Sequence, residues 1–243
     1  MSTFDQQIVG DCPYLPERAR ALPAFKQEKR IQEAVSAGPE RRALIWMAEH
    51  MPARINSDHL TILGAAGQLF AGAAYAAARW NRWWLLAACF FIFVNWLGDS
   101  LDGTLARVRQ CQRPRYGFYV DHVLDTFGAL FLMGGLALSG FIHPAVAIGM
   151  LVAFLMLSVE TYLATYTLGK FQLSNFGFGP TEIRILLVIG SVRLIFSPWA
   201  HLAGHKFLLF DVGGVIAIGG MLAMMVYLAV RHTIQLYREE PLP

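Results

Sequence analysis

Six long runs of apolar residues dominate the chain, and short polar or turn-forming stretches separate them. Each run is close to the roughly 20 residues that a helix needs to cross a bilayer. Turn-forming residues fill the connections, for example at 139–144 and 175–180. The pattern therefore predicts six membrane-spanning helices, at residues 58–79, 83–108, 117–140, 143–167, 181–199 and 207–230.

Composition supports a membrane protein. Of the 243 residues, 56% are hydrophobic and only 15% are charged. A water-soluble domain of this length could not bury so much apolar surface, so lipid is the better solvent. The predicted fold class is all-α, an integral membrane bundle of six transmembrane helices. The net charge of +3 is small, and we expect no nucleic-acid partner.

The N-terminal segment predicts helices of a different kind. Residues 24–36 are mostly polar and helix-forming, and residues 39–51 form a short amphipathic helix in which Trp46 suits the headgroup layer. We expect this second helix to lie in the membrane interface; the alternative is a soluble helix packed on the cytoplasmic face. The predicted organisation is a cytoplasmic segment, a six-helix membrane domain that carries the site, and a short cytoplasmic tail, at 1–52, 53–232 and 233–243.

Orientation follows from the basic residues, because cytoplasmic loops are enriched in Lys and Arg. Sixteen of the 20 Lys and Arg residues lie before the first predicted span, after the last, or in and directly beside the connections between the second and third spans and between the fourth and fifth. This distribution places both termini and the connection between spans two and three in the cytoplasm. The basic residues left for the opposite side are Arg79, Arg82, Arg193 and Lys206.

Two aspartate-bearing motifs lie at the adjoining ends of predicted spans two and three. On a helix Asp99 and Asp102 differ by about 60° around the axis, so they share a face. Asp121 and Asp125 lie one turn apart on the next helix. Because the connection is short, the two faces can meet, and oxygen ligands of this kind suit hard cations. The sequence therefore predicts a site for Mg²⁺ or Mn²⁺, with two ions per site and all four aspartates as ligands.

Basic residues accompany the aspartates and would supply positive charge for a phosphate group. These residues are Arg107, Arg109, Arg113 and Arg115. An alternative is that the aspartates only pair with arginines at a helix end. Four carboxylates with interleaved glycines at the edge of an apolar segment favour the metal site, since carboxylates beside hydrocarbon are costly without cations.

At these residues the chain resembles the CDP-alcohol phosphotransferase family, also called the CDP-alcohol phosphatidyltransferases. The family signature is D-x-x-D-G-x-x-A-R, eight or nine residues, then G-x-x-x-D-x-x-x-D. All eight fixed positions are met within 27 residues, namely Asp99, Asp102, Gly103, Ala106, Arg107, Gly117, Asp121 and Asp125. Six spans and an N-terminal amphipathic helix also agree with the family architecture.

The resemblance implies a reaction in which one alcohol displaces CMP from a CDP-linked alcohol by attack on the β-phosphorus. Asp125 would be the general base in addition to assisting the metal ligands Asp99, Asp102 and Asp121. The residues implied in nucleotide binding are Gly103, Ala106, Arg107, Gly117, Asn56 and Thr61. Asn56 and Thr61 rest on a weaker match, because the proline that usually precedes this asparagine is absent here. Family members also commonly form homodimers.

The substrate pair follows from shorter matches. Residues 165–169 and 181–185, with the Asp121-His122 pair, are similar to the branch that uses CDP-choline or CDP-ethanolamine and diacylglycerol. The alternative is the branch that uses CDP-diacylglycerol and a polar alcohol such as inositol phosphate, glycerol phosphate or serine. Candidate selectivity residues are Glu160, Thr165, Glu182 and Arg113. Glu160 could instead hydrogen-bond inside the bundle, and Glu182 could stabilise a helix N-terminus.

Other classes of protein fit the pattern less well. A membrane prenyltransferase also binds Mg²⁺-diphosphate through aspartates, but its two motifs lie far apart in sequence. A carboxylate-lined transporter predicts acidic residues near mid-bilayer in separate spans. A non-catalytic scaffold is at odds with the intact set of four aspartates.

Overall fold

The computed structural model describes residues 37–168, 180–202, 204–240 and 242. The polar helix predicted at 24–36 lies outside this part of the chain. Within the described part, the order along the chain is helices α1 to α6, the strands β1 and β2, and helix α7. Their bounds are Ala37–Glu49, Ser57–Ala77, Trp84–Val108, Pro114–Ser139, Pro144–Leu168 and Pro180–Phe196 for α1 to α6, Trp199–Leu202 and His205–Leu208 for the strands, and Leu209–Glu239 for α7.

Five of these helices, α2 to α5 and α7, are long and apolar enough to cross a membrane. They overlap five of the predicted spans, so the all-α membrane bundle is confirmed and the chain is a multi-pass membrane protein. The other helix, α6, overlaps the predicted span 181–199 but has 17 residues, or about 25 Å at 1.5 Å per residue. A sixth crossing stays a prediction.

The backbone of helix α2 is in direct contact with the backbones of α3 and α4. A β-carbon at Gly98 would overlap the backbone of Gly64, and one at Gly135 would overlap the carbonyl group of Gly72. Only glycine fits at these two crossings, and small residues are what allow helices to approach closely in lipid. The three helices therefore form a tight unit, and α3 and α4 meet at the end where the aspartates lie.

A buried hydrogen bond joins this unit to α6. The hydroxyl groups of Tyr75 and Ser191 are 2.6 Å apart, and both side chains are inaccessible to solvent. The apolar cluster around them includes Leu85, Leu136 and Leu194. Because a buried hydroxyl pair satisfies both groups, it fixes α6 against α2 without leaving an unpaired polar group. This contact sets the position of the residues at the other end of α6.

The amphipathic helix α1 packs on the bundle. Leu44 and Ala48 are buried against Leu60, Leu101 and Leu105 of α2 and α3. Two of the residues expected to face lipid therefore contact protein, whereas Trp46 on the other face is 61% exposed. The sequence periodicity of such a helix predicts an apolar face, but it does not determine whether lipid or protein covers that face.

Glu40 gives α1 a polar anchor. Its carboxylate accepts hydrogen bonds from the indole nitrogen of Trp96, at 2.9 Å, and from the hydroxyl of Thr181, at 3.2 Å. These partners belong to α3 and α6. Helix α1 thus connects the first turn of α6 to the middle of α3.

A two-stranded antiparallel hairpin precedes α7, where the sequence predicted only a connection. Gly204 lies at its turn with a φ of +83°, a conformation that favours glycine. Helix α7 then continues to Glu239, so most of the segment predicted as a tail, 233–243, is helical. The division into 1–52, 53–232 and 233–243 otherwise stays a prediction.

Candidate active site

The four motif aspartates meet where α3 ends and α4 begins. Val108 ends α3 and Pro114 begins α4, so a short turn joins them, with Gln110 at a positive φ of 55°. This turn places the last turns of α3 beside the first turns of α4. One carboxylate oxygen from each of Asp99, Asp121 and Asp125 lies within 4.8 Å of the others. The predicted convergence of the two motifs is present in the structure.

Asp102 lines the same small cavity, but its carboxylate is held differently. Its Oδ2 accepts a hydrogen bond from the hydroxyl of Thr61 at 2.7 Å, and its Oδ1 accepts one from the backbone N–H of Gly103. The hydroxyl of Ser57 donates to the backbone carbonyl of Asp102 at 2.9 Å. The start of α2 therefore orients Asp102. The three-carboxylate group does not include Asp102, whose role as a metal ligand stays a prediction.

Arg184 completes the site and was not among the residues predicted for it. Its Nη2 lies 2.6 Å from Oδ2 of Asp99, and both side chains are mostly buried. The signal in the sequence was a lone arginine two residues after Glu182 at the start of an apolar segment. Charge inside a membrane helix calls for a partner, but sequence alone does not name that partner.

The glycines of the motif face open space. Among the described residues, a β-carbon at Gly117 would meet no atom within 4 Å, and one at Gly103 would meet only the guanidinium of Arg107, at 3.6 Å and beyond. Arg107 in turn donates to the hydroxyl of Thr104 at 3.1 Å. The surface at these two glycines is therefore open in the described part of the chain and has a guanidinium at its edge. Such a surface admits a flat or bulky group close to the backbone.

The other basic residues of the connection are used in the fold. Arg109 donates to the backbone carbonyls of Met51, Pro52 and Ile55, and so binds the segment between α1 and α2. Asn56 follows directly as the residue before α2, and its backbone N–H donates to the ring nitrogen of His59. Arg109 was expected to supply charge for phosphate; the structure gives its guanidinium these backbone partners instead.

Arg113, a candidate for selectivity, is paired as well. Its guanidinium forms an ion pair with Asp58 and lies over the ring of Tyr116, 4.2 Å from the ring centre. The side chains of Arg113 and Asp58 are 36% and 44% exposed, so solvent screens the pair. These contacts place Arg113 at the rim of the site, next to the beginning of α2.

The remaining selectivity candidates lie on α5 and α6. Glu160 and His232 of α7 form a pair at 2.7 Å, which is the bundle-facing hydrogen bond considered for this glutamate. The second carboxylate oxygen of Glu160 and the hydroxyl of Thr165 are buried without a partner among the described residues. Glu182 lies in the first turn of α6, between Thr181 and Arg184 in the sequence.

The donor set fits a divalent cation. Three carboxylate oxygens within 4.8 Å of one another provide close negative charge, which a hard cation neutralises and coordinates. Arg184 offsets part of this charge at Asp99. Carboxylates placed so close together inside an apolar bundle are costly unless cations accompany them.

The fold and site together define a multi-pass membrane protein with a carboxylate-rich centre between helix ends. The family model for CDP-alcohol phosphatidyltransferases matches residues 55–235, which cover the bundle and the site. The chain therefore belongs to the CDP-alcohol phosphatidyltransferase family. No curated protein matches the chain.

Membership in this family confirms the resemblance seen in the motif. The protein is a phosphotransferase of phospholipid biosynthesis that transfers a phosphate-linked group from a CDP-alcohol to an alcohol, and its family uses divalent metal ions. This assignment to a family of phosphotransferases replaces the alternatives of a prenyltransferase, a transporter and a non-catalytic scaffold.

Proposed function

We propose that the chain transfers phosphocholine or phosphoethanolamine from the CDP-linked alcohol to the hydroxyl of diacylglycerol, with release of CMP. The observation that carries the reaction is the convergence of Asp99, Asp121 and Asp125 at one end of the bundle. A site at the end of apolar helices allows a polar nucleotide and an apolar lipid to meet. The choice of substrates rests on the matches at 165–169 and 181–185 and at the Asp121-His122 pair.

The four aspartates would hold two divalent cations, Mg²⁺ or Mn²⁺, which neutralise charge on the diphosphate and on the leaving CMP when bound. Asp99, Asp121 and Asp125 supply the close oxygen donors. Thr61 holds Asp102 toward the cavity, which is the position that a fourth ligand requires. In this proposal Arg184 leaves Asp99 available by moving toward the phosphate, an anion that suits its guanidinium.

Asp125 would act as the base. It lines the cavity together with the other three aspartates, one helical turn beyond Asp121. Asp125 accepts the proton of the acceptor hydroxyl, and that oxygen forms a bond to the β-phosphorus. The bond from this phosphorus to the oxygen that leaves with CMP then breaks. A base must lie within hydrogen-bonding reach of the hydroxyl it deprotonates.

The cytidine would lie on the open surface at Gly103, Ala106 and Gly117, where no described side chain intervenes at the two glycines. Arg107, at 3.6 Å from a β-carbon built on Gly103, would contact the nucleotide phosphate. Asn56 and Thr61 would complete the nucleotide side from the start of α2. Thr61 then has two functions, since its hydroxyl also holds Asp102.

We propose that this end of the bundle and both termini lie in the cytoplasm, because most Lys and Arg residues in the described part of the chain lie at this end. A homodimer stays a prediction from the family resemblance. It is supported by α7, where a β-carbon at Gly213, Gly219 or Gly220 would meet no atom within 4 Å of the described chain. The molar mass of the purified protein in detergent tests it, and a monomeric mass would contradict it.

The role of Asp125 is tested with Asp125→Asn. Because the amide cannot accept the hydroxyl proton, we expect CMP release to fall by about 10²- to 10⁴-fold, the usual contribution of a general base. Binding of the CDP-linked alcohol should change much less. The matched control is Asp211→Asn, the same change at the opposite end of the bundle, where Asp211 accepts a hydrogen bond from the backbone N–H of His143. Near-normal turnover in Asp125→Asn would refute the assignment.

The substrate pair is tested by measuring CMP release from the purified protein with Mg²⁺ or Mn²⁺. One set of reactions contains diacylglycerol with CDP-choline or CDP-ethanolamine, and the other contains CDP-diacylglycerol with inositol phosphate, glycerol phosphate or serine. We expect release in the first set. Release in the second set alone would overturn the substrate proposal and leave the role of Asp125 standing.

A further inference from the structure

A polar pair lies deeper in the bundle than the aspartates. Gln68 of α2 and Asn95 of α3 line the same cavity as the four carboxylates. Gln68 is seven residues beyond Thr61, which contacts Asp102, and therefore lies about 10 Å further along the helix axis. Asn95 lies one turn before Asp99. These two side chains form the apolar-side floor of the cavity.

Hydrogen bonds fix the direction of both amides. The Nδ2 of Asn95 donates to the backbone carbonyl of Gly64 at 3.0 Å and to Oε1 of Gln68 at 3.2 Å. A backbone carbonyl can only accept, so Asn95 must present its NH₂ group to α2. Gln68 must then present its carbonyl oxygen to Asn95. The NH₂ group of Gln68 is left as a donor, and it has no other partner in the described part of the chain.

The backbone makes room for this side chain. A β-carbon at Gly128 of α4 would overlap the amide group of Gln68. Gly128 follows Asp125 by three residues, so it lies on nearly the same face of α4. Asn95 is 7% exposed and Gly128 is buried. Three helices thus surround one carboxamide, and Gln68, which carries the unpaired donor, lines the same cavity as Asp125.

The chemistry of the position selects its ligand. The donor needs an oxygen acceptor, and the four carboxylates above it repel a second anion. The position is also the part of the cavity furthest from the cytoplasmic end, where the glycerol portion of a lipid would arrive from the apolar side. A neutral oxygen attached to glycerol satisfies both conditions.

We propose that the amide NH₂ of Gln68 donates a hydrogen bond to a neutral oxygen of the lipid substrate's glycerol backbone, either its hydroxyl or an ester carbonyl. This contact sets how deeply the lipid lies relative to Asp125. Gln68 is then a binding and positioning residue for the lipid, and Asn95 acts through it by holding the amide. The inference rests on the proposed function only in taking a glycerolipid as one substrate.

The test is Gln68→Met, which keeps the length of the side chain and removes the donor. We expect the KM for diacylglycerol to rise about 5- to 10-fold, the effect of one hydrogen bond, and the KM for the CDP-linked alcohol to stay unchanged. If the protein uses CDP-diacylglycerol, that lipid replaces diacylglycerol in the assay. Gln235→Met is the matched control, because Gln235 is remote and bonds only to Glu239 among the described residues.

A diether lipid identifies the oxygen. A dialkylglycerol keeps the hydroxyl and lacks both ester carbonyls. If Gln68 binds the hydroxyl, Gln68→Met raises the KM equally with either lipid. If it binds a carbonyl, the wild type itself has the raised KM with the diether lipid and the variant adds nothing. Either pattern supports the proposal. An unchanged lipid KM in Gln68→Met, or an equal rise in both substrates' KM values, overturns it.

Two further measurements separate this inference from the reaction and from the fold. Binding of a short-chain diacylglycerol, measured by native mass spectrometry, should weaken in Gln68→Met and needs no turnover. Equal binding in variant and wild type overturns the inference even if the protein is active. Gly128→Ala should raise the lipid KM in the same direction, because its β-carbon displaces the amide while Gln68 stays in the sequence.

Discussion

Arg184 and Asp99 form the one ion pair that links α6 to the aspartate centre among the described residues. The two groups are 2.6 Å apart, and their side chains are 17% and 29% exposed. Removing one member of a mostly buried pair leaves an uncompensated charge, which is costly. In this site the remaining charge would be a carboxylate beside two others, and a divalent cation is the natural replacement for the guanidinium.

We therefore predict that Arg184→Gln binds Mn²⁺ more tightly in the absence of substrate. The cation no longer has to displace the guanidinium from Asp99, so we expect the apparent Kd to fall about tenfold, equivalent to about 1.4 kcal/mol. Electron paramagnetic resonance of free Mn²⁺ in a titration of the purified protein measures this. Turnover should fall in the same variant, because the phosphate loses a partner.

Arg193→Gln provides the matched control for this titration. It is the same change at the other end of α6, where Arg193 donates to the backbone carbonyl of Ser197 and is remote from the aspartates. Its Mn²⁺ affinity should equal that of the wild type. Weaker Mn²⁺ binding in Arg184→Gln than in Arg193→Gln would show that Arg184 supports the cation rather than competing with it.

The aspartates could be predicted from the sequence because their spacing within one connection is local. Helical geometry aligns Asp99 with Asp102, and Asp121 with Asp125, without knowledge of any other helix. Helical geometry within one motif does not identify the side chains of other helices that contact these aspartates. Thr61 and Arg184 contact Asp102 and Asp99 from positions more than 40 residues away in the sequence, and only the packed bundle brings them there. Gln68 likewise reaches the cavity from the middle of α2.

Among the helices, the backbone contacts between α2 and its neighbours set the shape of the cavity. At Gly135 a β-carbon would overlap the carbonyl of Gly72, and neither group is a flexible side chain that could move aside. Helices α2 and α4 would have to separate instead. The same separation would widen the cavity, because its lining comes from α2, α3 and α4.

We predict that Gly135→Ala destabilises the protein by about 1–3 kcal/mol, as overpacking does in a well-packed core. Gly134→Ala is the control on the preceding residue, where a β-carbon would meet no atom of the described residues within 4 Å. Thermal unfolding in detergent should show a lower Tm for Gly135→Ala alone. Equal Tm values for the two variants would mean that the crossing of α2 and α4 is not tightly packed.

The helix boundaries were predicted well where hydrophobic runs are long, and less well where elements are short. The apolar runs of α2 to α5 and α7 exceed a bilayer's thickness, so they stand out in any window. The strands have four residues each and pair only with each other, which leaves little periodicity to detect. The apolar face of α1 was visible as well, but its partner, the cluster around Leu101 and Leu105, was not.

The bundle as a unit has two chemically different ends. The turn between α3 and α4 and the C-terminal end of α7 lie at the end that carries the aspartates and most of the described basic residues. The hairpin with Gly204 at its turn lies at the other end of α7. From the positive-inside rule we propose that the first end faces the cytoplasm.

We predict that, in sealed membrane vesicles with their cytoplasmic side outward, an epitope tag after the C-terminus is removed by added protease. A tag inserted at Gly204 of the hairpin should be protected until detergent opens the vesicles, because the hairpin faces the opposite side. Immunoblots of both tagged proteins measure this, and each tag serves as the control for the other. The reverse pattern would invert the topology and move the aspartates out of the cytoplasm.

The backbone-to-backbone packing of α2, α3 and α4 has a consequence for biogenesis. Helices α3 and α4 of this unit contain all four aspartates, and both are synthesised before α6, the helix that carries Arg184. The nascent chain therefore has its acidic cluster before Arg184, the ion-pair partner of Asp99, exists. With this end in the cytoplasm, as proposed above, divalent cations would be the counter-charge at that stage, so the metal would take part in assembling the enzyme before it takes part in catalysis.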